Sequence, residues 1–199
     1  MRGLRKYLTP FAPDQSGAVS VLYELGGIIV ICDAGGCTGN VCGFDEPRWF
    51  ERKSAVFSAG LRDMDAILGR DDRLVAKLVD AAEKVEAGFA AIIGTPVPAV
   101  IGTDYQALKR MCEKRTELPV LTVDTDGMEL YDVGERKAYV ELFKAFAREK
   151  LPVETGKIGI LGMTPQDVSD PGAADKIREK FRVQGLKAVV MEWVTVWTR

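Results

Sequence analysis

Histidine is missing from the 199 residues altogether. Its absence removes histidine-containing zinc sites, Ser–His and Cys–His nucleophilic pairs, and imidazole as a general base. Charge of one sign is scarce too: 27 basic residues stand against 29 acidic ones, a net charge of −2 with no long run of either. A nucleic-acid surface calls for a basic patch or stripe, so nucleic acid is not an expected partner. Long apolar runs are also lacking. The run from Gly26 to Ile31 falls far short of the roughly 20 residues that cross a bilayer. The opening residues Met1 to Leu8 are too few, and too broken by Arg2, Arg5 and Lys6, for a signal peptide. No membrane contact is expected, and the expected compartment is the cytoplasm.

What remains is a folding sequence. A hydrophobic fraction of 47% suits a packed globule and is too high for a disordered chain. Short β-branched runs alternate with longer amphipathic stretches, which predicts βαβ units around a largely parallel sheet. Residues 14–25 read as a helix with Val19, Leu22 and Leu25 on one face, closed by Gly26 and Gly27. Ile28 to Ile31 is a continuous apolar run, as in a strand buried on both faces. Further strands are expected at 55–57, 89–93 and 119–123, and helices at 71–87, 99–115 and 134–150. In the second of these helices Ile101, Tyr105, Leu108 and Cys112 share one side, with Gly94 to Pro98 forming a rigid turn before it.

A Pro- and Gly-containing joint at 151–156 divides the chain. Residues 1–150 are expected to form one α/β domain. Residues 151–199 add a further unit: strand 157–161, helix 173–183 and strand 186–191. One such unit is small for an independent domain and leaves strand edges unpaired. It therefore reads as cut short, and association into a dimer or larger assembly is expected.

Candidate chemistry gathers where the first buried strand ends. Ligands of open α/β sheets bind at the carboxyl ends of strands, and there the chain runs from Cys32 to Gly43 with cysteines at 32, 37 and 42. Four glycines in this stretch let the backbone approach a bound group and offer amide donors. Thiolates are the soft ligands that select iron–sulfur clusters. The spacing is neither a ferredoxin pattern nor a CxxC knuckle, and Cys32 as a buried strand residue beside two ordinary loop thiols is the alternative. Gly35 to Gly39 lacks the P-loop lysine and the GxGxxG spacing, which argues against a nucleotide. Cys112 lies in the apolar stripe of its helix and reads as core. Asp104 reads as a helix cap, and Asp124 to Gly127 as a turn. Trp49 and Phe50 suit either shielding of a metal centre, core packing or a subunit interface.

Residues 13–42 resemble the N-terminal segment of nitrogenase component 1 proteins, the molybdenum–iron protein and its relatives. Gly17-Ala18-Val19 and Gly36-Cys37 match that layout. The block Ile93 to Asp104 is similar to the family's strand, Thr-Thr-Cys and Val-Ile-Gly-Asp-Asp sequence. Ala66 to Gly69 and Pro119 to Asp126 look like the segments that accompany it, and residues 157–199 like the opening of its second Rossmann-like domain.

The resemblance implies an oxidoreductase subunit that takes electrons from a separate ATP-dependent, Fe protein-like reductase. It would pass them through an iron–sulfur cluster to a substrate such as dinitrogen, a tetrapyrrole or a cofactor precursor. It also implies a homo- or hetero-oligomer with a component 1-like subunit. Three cysteines per subunit hold the family's cluster; here Cys37 matches one, while Pro13 and Pro96 stand at the other two. Cys32 falls where the family's loop has histidine, and Cys42 is additional. The expectation is a rearranged site on Cys32, Cys37 and Cys42. A [4Fe–4S] cluster takes a fourth ligand, which Asp33, Asp45 or a partner subunit would supply, unless the cluster is shared across a dimer axis. The rivals are a metal-free scaffold subunit, marked by the two prolines, and a two-lobed small-molecule binder with its cleft near Gly156.

Overall fold

The computed structural model describes residues 12–50, 54–147, 149, 152–168 and 173–190. Four strands, β1 (Gly27–Ile31), β2 (Ala55–Ser58), β3 (Phe89–Ile93) and β4 (Val120–Val123), form one parallel sheet in the order β2-β1-β3-β4. Every residue of β1, β3 and β4 is buried, which is why these runs carry no polar alternation. The register pairs Ile29 with Val56 on one side and Ala91 on the other.

Two layers of helices cover the sheet. Ile29, Ile31, Ala91, Ile93, Leu121 and Val123 face one core, closed by α1 (Asp14–Leu22) and α7 (Tyr131–Phe146). Ile28, Val30, Ala90, Ile92 and Val120 face the other, closed by α4 (Asp71–Lys84) and α6 (Tyr105–Thr116). Period-two alternation along the strands sorts the residues between these layers.

Helix α1 differs from its expected form. It ends at Leu22 rather than residue 25, and all nine of its residues are buried. It is enclosed because α7 lies directly against it, backbone to backbone. A Cβ on Gly17 would strike the Tyr131 carbonyl, and one on Gly134 the Asp14 carbonyl. The expected helix at 99–115 is two helices, α5 (Pro96–Ile101) and α6. Gly102 at φ 70° ends the first, and the Asp104 carboxylate caps the second by accepting from the amides of Gln106 (3.0 Å) and Ala107 (2.9 Å). The break turns Ile101 out to solvent, while Leu108 and Cys112 stay in the core. Proline at the first helical position starts α5 where a rigid turn was expected. Two short helices, α2 (Gly36–Asn40) and α3 (Asp63–Leu68), lie in the connections after β1 and β2.

Beyond residue 152 a separate two-stranded parallel sheet, β5 (Lys157–Ile160) and β6 (Lys187–Val190), packs with α8 (Ala173–Val183) around Met163, Ala174 and Val190. The expected last residue of β6, Met191, lies outside the described residues. Among the described residues no helix is long and apolar enough to cross a membrane.

Candidate functional site at the carboxyl end of the sheet

The four-stranded sheet delivers its connections to one end, and the cysteine segment leaves there from β1. Cys32 is still part of the strand's packing: its amide donates to the Ile93 carbonyl at 2.8 Å, and the residue is 2% exposed. Its side chain follows Ile28 and Val30 into the α4/α6 layer, in the core that also holds Cys112. Burial, followed by the charges of Asp71 and Asp33, pushes the Cys32 thiol up to about 12. A thiol so placed stays protonated and is a poor metal ligand.

Cys37, on α2, is half-buried against the opposite core and within hydrogen-bonding reach of the Thr95 hydroxyl. Cys42 is also half-buried, in a single π-helical turn over Val41–Asp45 that continues α2. Both thiols are raised above the ordinary range, in each case chiefly by burial. The next contribution is the Asp33 charge for Cys37, and the charges of Glu46 and then Asp33 for Cys42.

The two candidate carboxylates are already occupied. Asp33, 1% exposed, accepts from the Ser58 hydroxyl at 2.6 Å, the Thr38 amide at 2.7 Å and the Thr38 hydroxyl at 3.0 Å. Asp45 accepts from Ser16 and from the Asn40 side-chain amide, both at 2.7 Å. These bonds spend the carboxylates on holding the segment's shape. Among the described residues no group of three or more Cys, Asp or Glu is placed to hold a metal ion. Of the expected trio, Cys37 and Cys42 share one segment on the solvent side, and Cys32 stands apart from them below the sheet. On one chain the trio does not fit a three-thiolate cage.

A buried clamp fixes the far end of the segment. Arg48, 5% exposed, holds Glu46, 2% exposed, through Nε at 2.6 Å and Nη2 at 2.7 Å. Ser20 of α1 joins both: its hydroxyl donates to Glu46 at 2.8 Å, and its carbonyl accepts from Arg48 at 2.7 Å. The guanidinium also lies 4.7 Å from the centroid of the Tyr23 ring. Trp49 packs on the core, whereas Phe50 and Phe44 are 77% and 82% exposed.

Pro13 and Pro96 flank one loop, and Thr95, beside Pro96, reaches Cys37. Pro13 pairs with Leu130 in an isolated bridge, and the ring of Pro96 lies against Gly127. The Asp14 carboxylate accepts from the amides of Asp126 at 3.1 Å and Gly127 at 2.8 Å. Thr95, next to Pro96 and reaching Cys37, donates to the Cys32 carbonyl at 2.7 Å. The stretch Asp124 to Gly127, expected as a turn, is an irregular segment with a bend at Gly127, and its Thr125 hydroxyl donates to the Gly94 carbonyl at 2.7 Å, which ties the ends of β3 and β4 together. Sequence reasoning passed over Asp14, Thr95 and Gln15, the last buried with its Oε1 unpartnered. Nothing in their local sequence marks them.

A family model described as nitrogenase component 1 type oxidoreductase matches residues 15–199. No curated protein matches the chain in sequence. Among solved structures, "Nitrogenase Cp1 at pH 5" superimposes with a TM-score of 0.71 at 16% identity over 96% of this chain. "Nitrogenase Cp1 at pH 6.5" gives the same TM-score, identity and coverage of this chain. At that identity the likeness shows the fold. The chain spans 40% and 39% of the length of those two structures.

Proposed function

The chain belongs to the nitrogenase component 1 type oxidoreductases, and from that footing we propose that it is a redox subunit whose metal centre is completed by a second chain. The carrying observation is the pair of half-buried thiols, Cys37 and Cys42, in one chain segment with the exposed Phe44 and Phe50. Further apolar side chains stand out at the same end of the sheet, among them Val97 and Val100 of α5, Met128 and Leu130. Exposed apolar surface of this kind favours association with a partner subunit.

Two thiols per chain are half of what a [4Fe–4S] cluster takes, so a component 1-like partner or a second copy would supply the rest. Cys32, the third residue of the expected set, would have to leave the core to take part. When bound, such a cluster supplies one-electron transfer; the chain's own residues exclude water around it and fix where its ligands sit. Asp33 and Asp45 hold the turn that presents the thiols, and the Glu46–Arg48 clamp holds that turn to α1. The electron donor in this reading is an ATP-dependent, Fe protein-like reductase, as the family resemblance implies. Four free cysteines agree with a cytoplasmic location. Residues 1–150 and 151–199 are read as two domains, which the two separate sheets support.

A second reading has its own observation. Pro13 and Pro96 hold two of the positions that cysteine occupies in the resemblance, and both are built into the loop packing. This favours a metal-free scaffold subunit. Anaerobic reconstitution separates the two. The redox reading expects brown protein with iron and acid-labile sulfide in matching amounts, lost in Cys37→Ser and Cys42→Ser and kept in Cys32→Ser. Colourless, iron-free wild type supports the scaffold.

A further inference from the structure

A second cluster of ionisable groups lies away from the cysteine segment, where α7 meets the turn 161–168 ahead of α8. The Tyr131 hydroxyl donates to Thr164 at 2.7 Å, and Thr164 in turn donates to Asp167 Oδ2 at 3.0 Å. Glu135, one helical turn along α7 from Tyr131, is 6% exposed and reaches both Thr164 and Asp167. Its Oε1 has no partner. Around this cluster, the Gly162 amide donates to the Tyr139 hydroxyl at 3.2 Å, and the Gln166 side chain donates to the Asp45 carbonyl at 2.9 Å. These bonds join the four-stranded sheet's layer to the two-stranded unit.

Two carboxyl groups within hydrogen-bonding distance cannot both be ionised without strong repulsion, and one proton between them turns repulsion into a bond. Among the described residues, the groups that act on Glu135 are Asp167, Thr164 and Asp132, none of them a cation that could replace that proton. Asp132 on α7 adds a further negative charge near Glu135. From α1, Ser20 contributes a neutral hydroxyl to Tyr131. Arg48, whose charge reaches the neighbouring Tyr139, is already held by Glu46 and, at 3.6 Å, by Glu24.

We propose that Glu135 and Asp167 share one proton across this junction, so that the turn 161–168 is clasped to α7 while the proton is present and loosened when it is lost. Glu135, the more buried of the two, carries it. Burial first, then the hydrogen bond to Asp167 and its charge, push Glu135 from the ordinary 4.5 up to about 8. Opening returns Glu135 to water and releases one proton. The clasp is therefore strongest below the ordinary carboxyl range and weakens as pH rises through the window up to about 8. Its effect is to make the relative freedom of the two sheet units depend on pH, independently of any metal at the cysteines.

Hydrogen–deuterium exchange of the 161–168 amides, corrected for intrinsic rates, tests this in the intact chain, with β3 and β4 amides as internal controls. Protection in wild type should fall by up to about tenfold per pH unit between the ordinary carboxyl value and about 8, then level off. Glu135→Gln keeps a neutral donor to Asp167 and should give pH-independent protection. In Asp167→Asn the fall should end at a lower pH, since no second carboxylate faces Glu135. Flat protection across the window in wild type, or an unchanged slope in Glu135→Gln, overturns the proposal. Should Glu135→Gln fail to fold by circular dichroism, the exposed Asp167→Asn decides: a fall that ends at the same pH as in wild type overturns it equally.

Discussion

Arg48→Ala is the sharpest perturbation of the clamp that holds the cysteine segment. In the folded protein Glu46 is 2% exposed and accepts from Arg48 Nε, Arg48 Nη2, the Ser20 hydroxyl and the Arg48 amide. Removing the guanidinium leaves the hydroxyl and the backbone amide but strips two charge-assisted bonds, each worth about 1.5–3 kcal/mol. It also leaves a carboxylate in the core without a counter-ion. Breaking one partner of a buried pair costs about 3–5 kcal/mol, and the lost ring contact with Tyr23 adds to that. For a chain of this size a loss of 1 kcal/mol lowers the melting temperature by about 2–4 °C. The expected drop is then about 6–20 °C, read by calorimetry or by the urea midpoint. Labelling of Cys42 by a water-soluble disulfide reagent should accelerate in the same variant, because its turn loses its anchor. The double variant Glu46→Leu/Arg48→Met removes both charges and should recover most of the loss, since apolar replacement of a buried pair is often neutral. A loss below about 1 kcal/mol in Arg48→Ala, or a double variant no better than the single one, would refute the reasoning.

Other outcomes follow from the same geometry. In the folded protein Cys37 and Cys42 should react with a disulfide reagent while Cys32 and Cys112 stay protected until unfolding. Burial pushes those two thiols up to about 12 and about 11, so alkaline pH short of that range should not expose them. Gly134→Ala drives a methyl into the Asp14 carbonyl and should cost about 1–3 kcal/mol or more by overpacking, measured by urea denaturation. Asp104→Ala should cost about 1 kcal/mol through the lost cap. Its effect should fall on α6, read as faster amide exchange at Gln106 and Ala107.

The sheet was legible because its strands are buried on both faces. Phe89 to Ile93 needs no partner information to be read as a strand, and the structure agrees residue for residue. Helix α1 was legible in existence but not in extent. Its enclosure depends on Gly17 and Gly134 letting α7 touch it, a contact between positions more than a hundred residues apart. The break between α5 and α6 had a local signal that went unused, since a capping Asp104 and a continuous helix over 99–115 exclude each other. Cys32 offers the same lesson. Counting by twos from Ile28 through Val30 puts its side chain on the buried face of β1, away from a loop ligand's place. The occupation of Asp33 and Asp45 was not legible, because Ser58 and Ser16 lie 25 and 29 residues away in sequence. The Arg48–Ser20 contacts were hidden for the same reason.

Native mass spectrometry of protein prepared without oxygen tests the central claim most directly. The account predicts an assembly of at least two chains carrying iron and sulfide, collapsing to metal-free chains when Cys37 and Cys42 are both serine. Bare monomers from the wild type, or an unchanged metal load in that double variant, would contradict it.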